Sequence, residues 1–272
     1  MKYFRCFLDF YIRSQIHVSI AVTAFSAITA LEFQLHLSLW FYVFVFVCAM
    51  VGYNFVLHPA GILHLLDSKR SSFLVVLGGS LIVWVSLYLF KLQYLSVVTF
   101  SLLMLITFLY AIPVIRNKNL RNVSGIKVFV VALVWAGVTV VLPLEIEENL
   151  LYKSDYLLTF IQRFLIVVLL MIPFEIRDYS KDAPALITLP QQLGIQTTKR
   201  MGWGVMGIII FLEALKDEFS EHHLYSLLFF LFLLGIAIIK SSENQSRYFA
   251  SFAVEGLPAI WWLLYVIMIW VD

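Results

Sequence analysis

Charge is scarce in this chain. Only 13% of its 272 residues are Asp, Glu, Lys or Arg, and the formal net charge is +2. No polar stretch is long enough to make a soluble domain. A mean hydropathy of +0.92 with 62% hydrophobic residues lies outside the range of soluble globular domains. A separate soluble module is thereby excluded, and nucleic acid is not an expected partner. Cysteine is almost absent as well. Cys6 and Cys48 cannot build a framework of bridges, and neither has Cys or His neighbours at zinc-site spacing. Both read as small apolar fillers. No evident cleavage site follows Lys2, Arg5 and Arg13, so the first apolar run is expected to be a retained helix rather than a removed signal.

In place of these features the chain has long apolar runs. A membrane-spanning helix needs about 20 mostly apolar residues. On that measure the sequence predicts an all-α polytopic membrane protein, a single integral membrane domain over 1–272 with nine transmembrane helices. They fall at roughly 14–32, 38–57, 72–90, 94–114, 126–143, 156–174, 202–215, 223–240 and 254–271. The seventh is short and carries Gly202, Gly204 and Gly207, which suit close packing against a neighbouring helix. Nine spans with the N-terminus inside put fifteen of the nineteen Lys and Arg residues on the cytoplasmic side. Only Lys91, Lys153 and Lys216 lie outside, and Arg163 lies within the sixth span. This is the positive-inside bias, and it expects a cytoplasmic N-terminus and an outer C-terminus. Arg163 is costly in hydrocarbon, so it is expected to face the bundle interior or to reach toward Asp155.

The chemistry is concentrated after the sixth span, in Pro173-Phe174-Glu175-Ile176-Arg177-Asp178-Tyr179-Ser180-Lys181-Asp182. On a helix Glu175, Asp178 and Asp182 stand at i, i+3 and i+7 and share one face. Three carboxylates on one face suit a hard cation such as Mg²⁺, which takes one or two carboxylates and fills its other positions with water and phosphate oxygens. A solvated acidic helix end neutralised by Arg177 and Lys181 explains the same residues.

Two further cytoplasmic stretches carry polar side chains. The second span ends in Tyr53-Asn54, followed by His58, Pro59, His64, Asp67, Lys69 and Arg70. These suit a pocket for an anionic headgroup, or an ordinary helix stop in which Asn54 bonds between helices. After the fourth span come Tyr110, Pro113, Arg116, Lys118, Arg121 and Lys127. Such cations suit a diphosphate, and equally the membrane surface.

The order of these elements resembles the UbiA-type intramembrane prenyltransferase superfamily over nearly the whole chain. The family's second acidic motif is similar to Glu175, Asp178 and Asp182, and the tail after it to Thr188-Leu189-Pro190-Gln191-Gln192-Leu193-Gly194. Tyr110 to Lys127 resembles the segment leading into the family's fifth helix. In the first acidic motif Asn54 matches, and Lys69-Arg70 fits the basic pair beyond it, but the aspartate positions hold Phe55, His58 and Ile62. The resemblance implies a UbiA-like bundle that moves an isoprenyl group from an isoprenyl diphosphate to a lipophilic acceptor within membrane lipid. It implies Mg²⁺ held by Glu175, Asp178 and Asp182, with Asp178, Asp182 and His58 as catalytic groups. Asn54, Lys69, Arg70, Tyr110, Arg121 and Lys127 would bind substrate. A bacterial inner membrane is the expected location. A non-catalytic isoprenoid-binding relative and a small transporter are the alternative readings.

Overall fold

A computed structural model describes residues 2–57, 78, 85, 94–112, 125–146, 154–181 and 187–271. Among them every regular element is helical. The elements are α1 (Lys2–Arg13), α2 (Ile16–Glu32), α3 (Leu39–Leu57), α4 (Tyr94–Ala111), α5 (Lys127–Glu145), α6 (Ser154–Asp178), α7 (Leu189–Leu193), α8 (Ile195–Ala214), α9 (Glu221–Lys240) and α10 (Phe249–Val271).

Six of these, α3, α4, α5, α6, α9 and α10, are long and apolar enough to cross a membrane. The protein is thus an all-helical polytopic membrane bundle, and the described residues give six spans rather than nine. The difference has three sources. At 17 residues α2 is apolar but shorter than the others. Helix α8 is long but starts at Ile195, seven residues before the expected 202, and so takes in Lys199 and Arg200. The expected span at 72–90 lies outside the described residues apart from Gly78 and Val85.

Local chemistry sets the helix boundaries. Gln15, at φ 65°, turns the chain between α1 and α2. Gly194, at φ 78°, breaks α7 from α8 in a conformation that suits glycine. Gln191 Oε1 accepts from the Thr188 N–H at 3.0 Å at the start of α7. Pro143 lacks an N–H, and α5 passes it through a wider π turn over Gly137–Val141. Gly137 meets α4 closely, since a Cβ there would lie 2.6 Å from Leu103 Cδ2. Of the three glycines in the seventh expected span Gly202 packs closely, against Ile172 and Ile238, while Gly204 and Gly207 meet no neighbour among the described residues.

Helix α5 packs on α6, α6 on α8, α2 on α3 and α10, and α9 on α10. In lipid there is little hydrophobic drive between helices, so the bundle depends on close packing and polar bonds. Phe25 lies at its centre, with Trp135, Phe230 and Trp261 edge-on at 5.9, 6.4 and 6.0 Å between centroids. Arg163 is 2% exposed and faces this interior. Its Nη1 donates to Phe25 O at 2.8 Å and its Nη2 to Thr29 Oγ1 at 3.3 Å. The guanidinium stands 4.3 Å from the Phe25 ring centroid. Asp155 is not its partner; that carboxylate accepts the N–H groups of Asp217 and Glu218, each at 2.9 Å.

Candidate functional site

Helix α6 runs through the bundle and ends in the acidic stretch. Twenty-five residues at about 1.5 Å each span roughly 37 Å, so its two ends mark opposite ends of the bundle. At the Asp178 end Glu175 is buried, 1% exposed. Lys127 Nζ at the start of α5 lies 2.9 Å from Glu175 Oε1. Asp178 is held by the next residue along: Arg177 Nε donates to Oδ1 at 2.9 Å and Nη2 to Oδ2 at 2.7 Å. Lys181 stands farther off, at 3.8 Å. Arg177 also donates from Nη1 to Ser251 Oγ at 3.1 Å, tying α6 to α10.

The two carboxylates are therefore met by different cations. Hard oxygens suit Mg²⁺, which uses one or two carboxylates and keeps several waters. Asp178 fits, because 22% of its side chain is exposed and an ion could share it with Arg177. Glu175, enclosed and paired to Lys127, adds charge behind it rather than an open ligand position.

Other predicted residues take varied places. Asn54 Nδ2 donates to Met50 O of its own helix at 2.8 Å and to Ser14 O, in the turn between α1 and α2, at 3.3 Å. Tyr110 is buried. His58, Lys69, Arg70, Arg121 and Asp182 lie outside the described residues.

The sequence reading missed a second polar layer at this end. His17 Nε2 lies 2.8 Å from Phe252 O, an acceptor, so that nitrogen carries the proton of the neutral ring. Tyr11 OH, 3.0 Å from Nδ1, is then the donor to it. Burial, and then the charge of Glu255, raise the Tyr11 phenol above its ordinary pKa and keep it protonated. Trp135 Nε1 donates to Tyr53 OH at 2.8 Å. Glu255 follows the π turn of α10, and an acid inside an apolar span was the signal available for it. Helix α1 closes over this end: Asp9 accepts from Arg247 and, at 2.6 Å, from Tyr248 OH.

A bundle of spanning helices with a polar, charge-paired end defines a polytopic membrane protein. The fold is that of the UbiA-type prenyltransferases. It is similar to the apo structure of a UbiA homologue from Aeropyrum pernix K1, with a TM-score of 0.65 and 14% identity over 94% of this chain and 98% of that one. A digeranylgeranylglyceryl phosphate synthase structure is similar with a TM-score of 0.58 and 14% identity over 98% of both chains. No family model and no curated protein sequence matches the chain.

Proposed function

We propose that this protein is a membrane prenyltransferase moving an isoprenyl group from an isoprenyl diphosphate to a lipophilic acceptor. The observation that carries the reading is the gathering of Glu175, Asp178, Lys127 and Arg177 at one end of a UbiA-type fold. Arg177 presents a guanidinium suited to diphosphate oxygens, and Lys127 adds a second cation. Lys69, Arg70 and Arg121, outside the described residues, are the further cations proposed to bind the substrate. In the reaction the allylic C–O bond breaks and its electron pair leaves with the diphosphate. A new bond forms from the acceptor to the isoprenyl carbon, and the acceptor's proton is lost to a base, for which His58 is the candidate. Asp178 and Asp182, assisted by Glu175, are the residues that would hold Mg²⁺, whose charge would stabilise the departing diphosphate. Asn54 and Tyr110 are the remaining residues that would bind substrate in this reading.

In the same reading the chain is one membrane domain over 1–272 with nine spans. Helices α2 and α8, with the expected span at 72–90 outside the described residues, would complete the six. It lies in a bacterial inner membrane with its N-terminus in the cytoplasm and its C-terminus outside. A non-catalytic isoprenoid-binding role is favoured by one observation: Glu175 and Asp178 each already face a cation of the chain itself.

The deciding experiment measures diphosphate release and prenyl transfer by the purified protein with Mg²⁺, a panel of isoprenyl diphosphates and candidate acceptors. An Asp178→Ala, Asp182→Ala variant serves as the control. Metal-dependent turnover lost in that control supports the enzyme. Lipid binding without diphosphate release across the panel selects the non-catalytic role.

A further inference from the structure

At the opposite end of the bundle α2, α8 and α9 converge on a buried set of ionisable side chains, Glu32, Glu213, Lys216 and His223. Lys216 Nζ is fully engaged, by Glu32 Oε1 at 2.5 Å, Glu213 Oε2 at 2.7 Å and Gln162 Oε1 at 3.1 Å. Glu32 Oε1 also accepts from Thr159 Oγ1 at 3.0 Å, and Glu213 Oε2 from Gln162 Nε2 at 3.0 Å. Glu213 Oε1 lies 2.6 Å from His223 Nδ1. Two atoms of the set are left with no hydrogen-bond partner among the described residues, Glu32 Oε2 and His223 Nε2. They face each other at 3.6 Å, and His223 is 1% exposed.

The tautomer follows from the partners. A carboxylate only accepts, so the neutral imidazole carries its proton on Nδ1, toward Glu213. Nε2 then presents a bare lone pair to a carboxylate oxygen, and two acceptors confront each other in a buried site. Something positive belongs between them. A charge-assisted N–H···O bond would draw the atoms to about 2.8 Å, and a bridging water with two ordinary hydrogen bonds would hold them about 4.5 Å apart. An ion bonded to each at about 2.1 Å with a near-tetrahedral angle separates them by about 3.5 Å. That last figure matches the structure. The carboxylate on the far nitrogen is the second partner that metal-bound histidines ordinarily have. Arg163 does not reach the gap, since its donors go to Phe25 O and Thr29 Oγ1. The rings of Trp261 and Tyr265 pack on His223 from α10 at 5.8 and 5.5 Å between centroids.

We propose that this end of the bundle binds a divalent transition-metal ion of the zinc class between His223 Nε2 and Glu32 Oε2, with Glu213 orienting the imidazole. The mixed nitrogen and carboxylate donors select such an ion over Mg²⁺ or Ca²⁺, which prefer oxygen alone. The ion clips the end of α2 to the start of α9. Two protein ligands leave further positions for water. The inference stands apart from the prenyl-transfer reading and uses none of its residues.

The test uses the full-length protein without a histidine tag, purified in detergent, stripped with chelator and titrated with Co²⁺. The expected result is one saturable equivalent with the visible absorption of four-coordinate Co²⁺, displaced by Zn²⁺ and unaffected by excess Mg²⁺. His223→Gln and Glu32→Gln abolish it, while Glu213→Gln weakens binding about 10- to 100-fold. For variants that fail to fold, ¹⁵N-histidine spectra of the wild-type protein with and without Zn²⁺ give the answer, through a shift confined to one ring's Nε2. No saturable uptake, or uptake unchanged in both ligand variants, overturns the proposal. So does a spectrum showing a buried imidazolium with both nitrogens protonated at neutral pH.

Discussion

Lys127 and Glu175 form an ion pair of 2.9 Å between the first turn of α5 and the last turn of α6, with the carboxylate enclosed and the ammonium about a fifth exposed. Removing the cation alone strands a buried charge. Lys127→Met is expected to destabilise the protein by about 3 kcal/mol, and Lys127→Met with Glu175→Gln by clearly less. Thermal unfolding in detergent, read as a double-mutant cycle, checks both.

Asp178 sits differently. Its pair with Arg177 is partly solvated, with 22% of each side chain exposed, so Asp178→Asn is expected to change stability by less than about 1 kcal/mol. If Asp178 holds the Mg²⁺ that would stabilise the departing diphosphate, the same substitution lowers turnover by about 100-fold or more. Parallel melting curves and diphosphate-release assays separate the two effects.

Gly137 allows α4 and α5 to touch, and a methyl group there meets Leu103 Cδ2 at 2.6 Å. Gly137→Ala is expected to cost about 1–3 kcal/mol through overpacking. Leu103→Ala in the same chain should restore much of the loss. A non-additive cycle is the signature, and additive losses would count against the contact.

Lys216 lies outside the spans, nearly buried beside two carboxylates. Burial pulls its pKa down, but the charges of Glu32 and Glu213 outweigh that and raise it above the ordinary 10.5. The folded state thus holds this proton more tightly than the unfolded chain does. The resulting stabilisation is fully present below pH 10.5 and is lost as pH rises through the folded value. The melting temperature of the wild type should fall steeply above that pH. Lys216→Met should already be lower at neutral pH, with a shallower alkaline fall.

The spans were legible wherever hydrophobicity alone determines them: 38–57 became Leu39–Leu57, and 223–240 became Glu221–Lys240. Boundaries moved where local chemistry intervened, as at Gly194, which starts α8 early, and at Gln15, which separates α1 from α2. The acidic stretch after the sixth span was readable as a concentration of charge, but not its pairing. Glu175 meets a lysine from another helix, and Glu32 meets Lys216 across 184 positions of sequence. Only the packing of helices brings such groups together. His223, Glu213 and Glu32 escaped notice for the same reason, since each alone is one polar residue near a helix end.

The rings around Phe25 have an electrical meaning. Phe25, Phe230 and Trp261 are each at most 1% exposed and pack against one another between the two charged ends of the bundle. Moving one charge through a potential of 100 mV involves about 2.3 kcal/mol, which only a mobile charge can exploit. Among the described residues the charge in this layer is Arg163, and its guanidinium is tethered to Phe25 O and Thr29 Oγ1. It behaves as a fixed dopant in an insulator rather than as a carrier. The membrane voltage should therefore do no work on this layer.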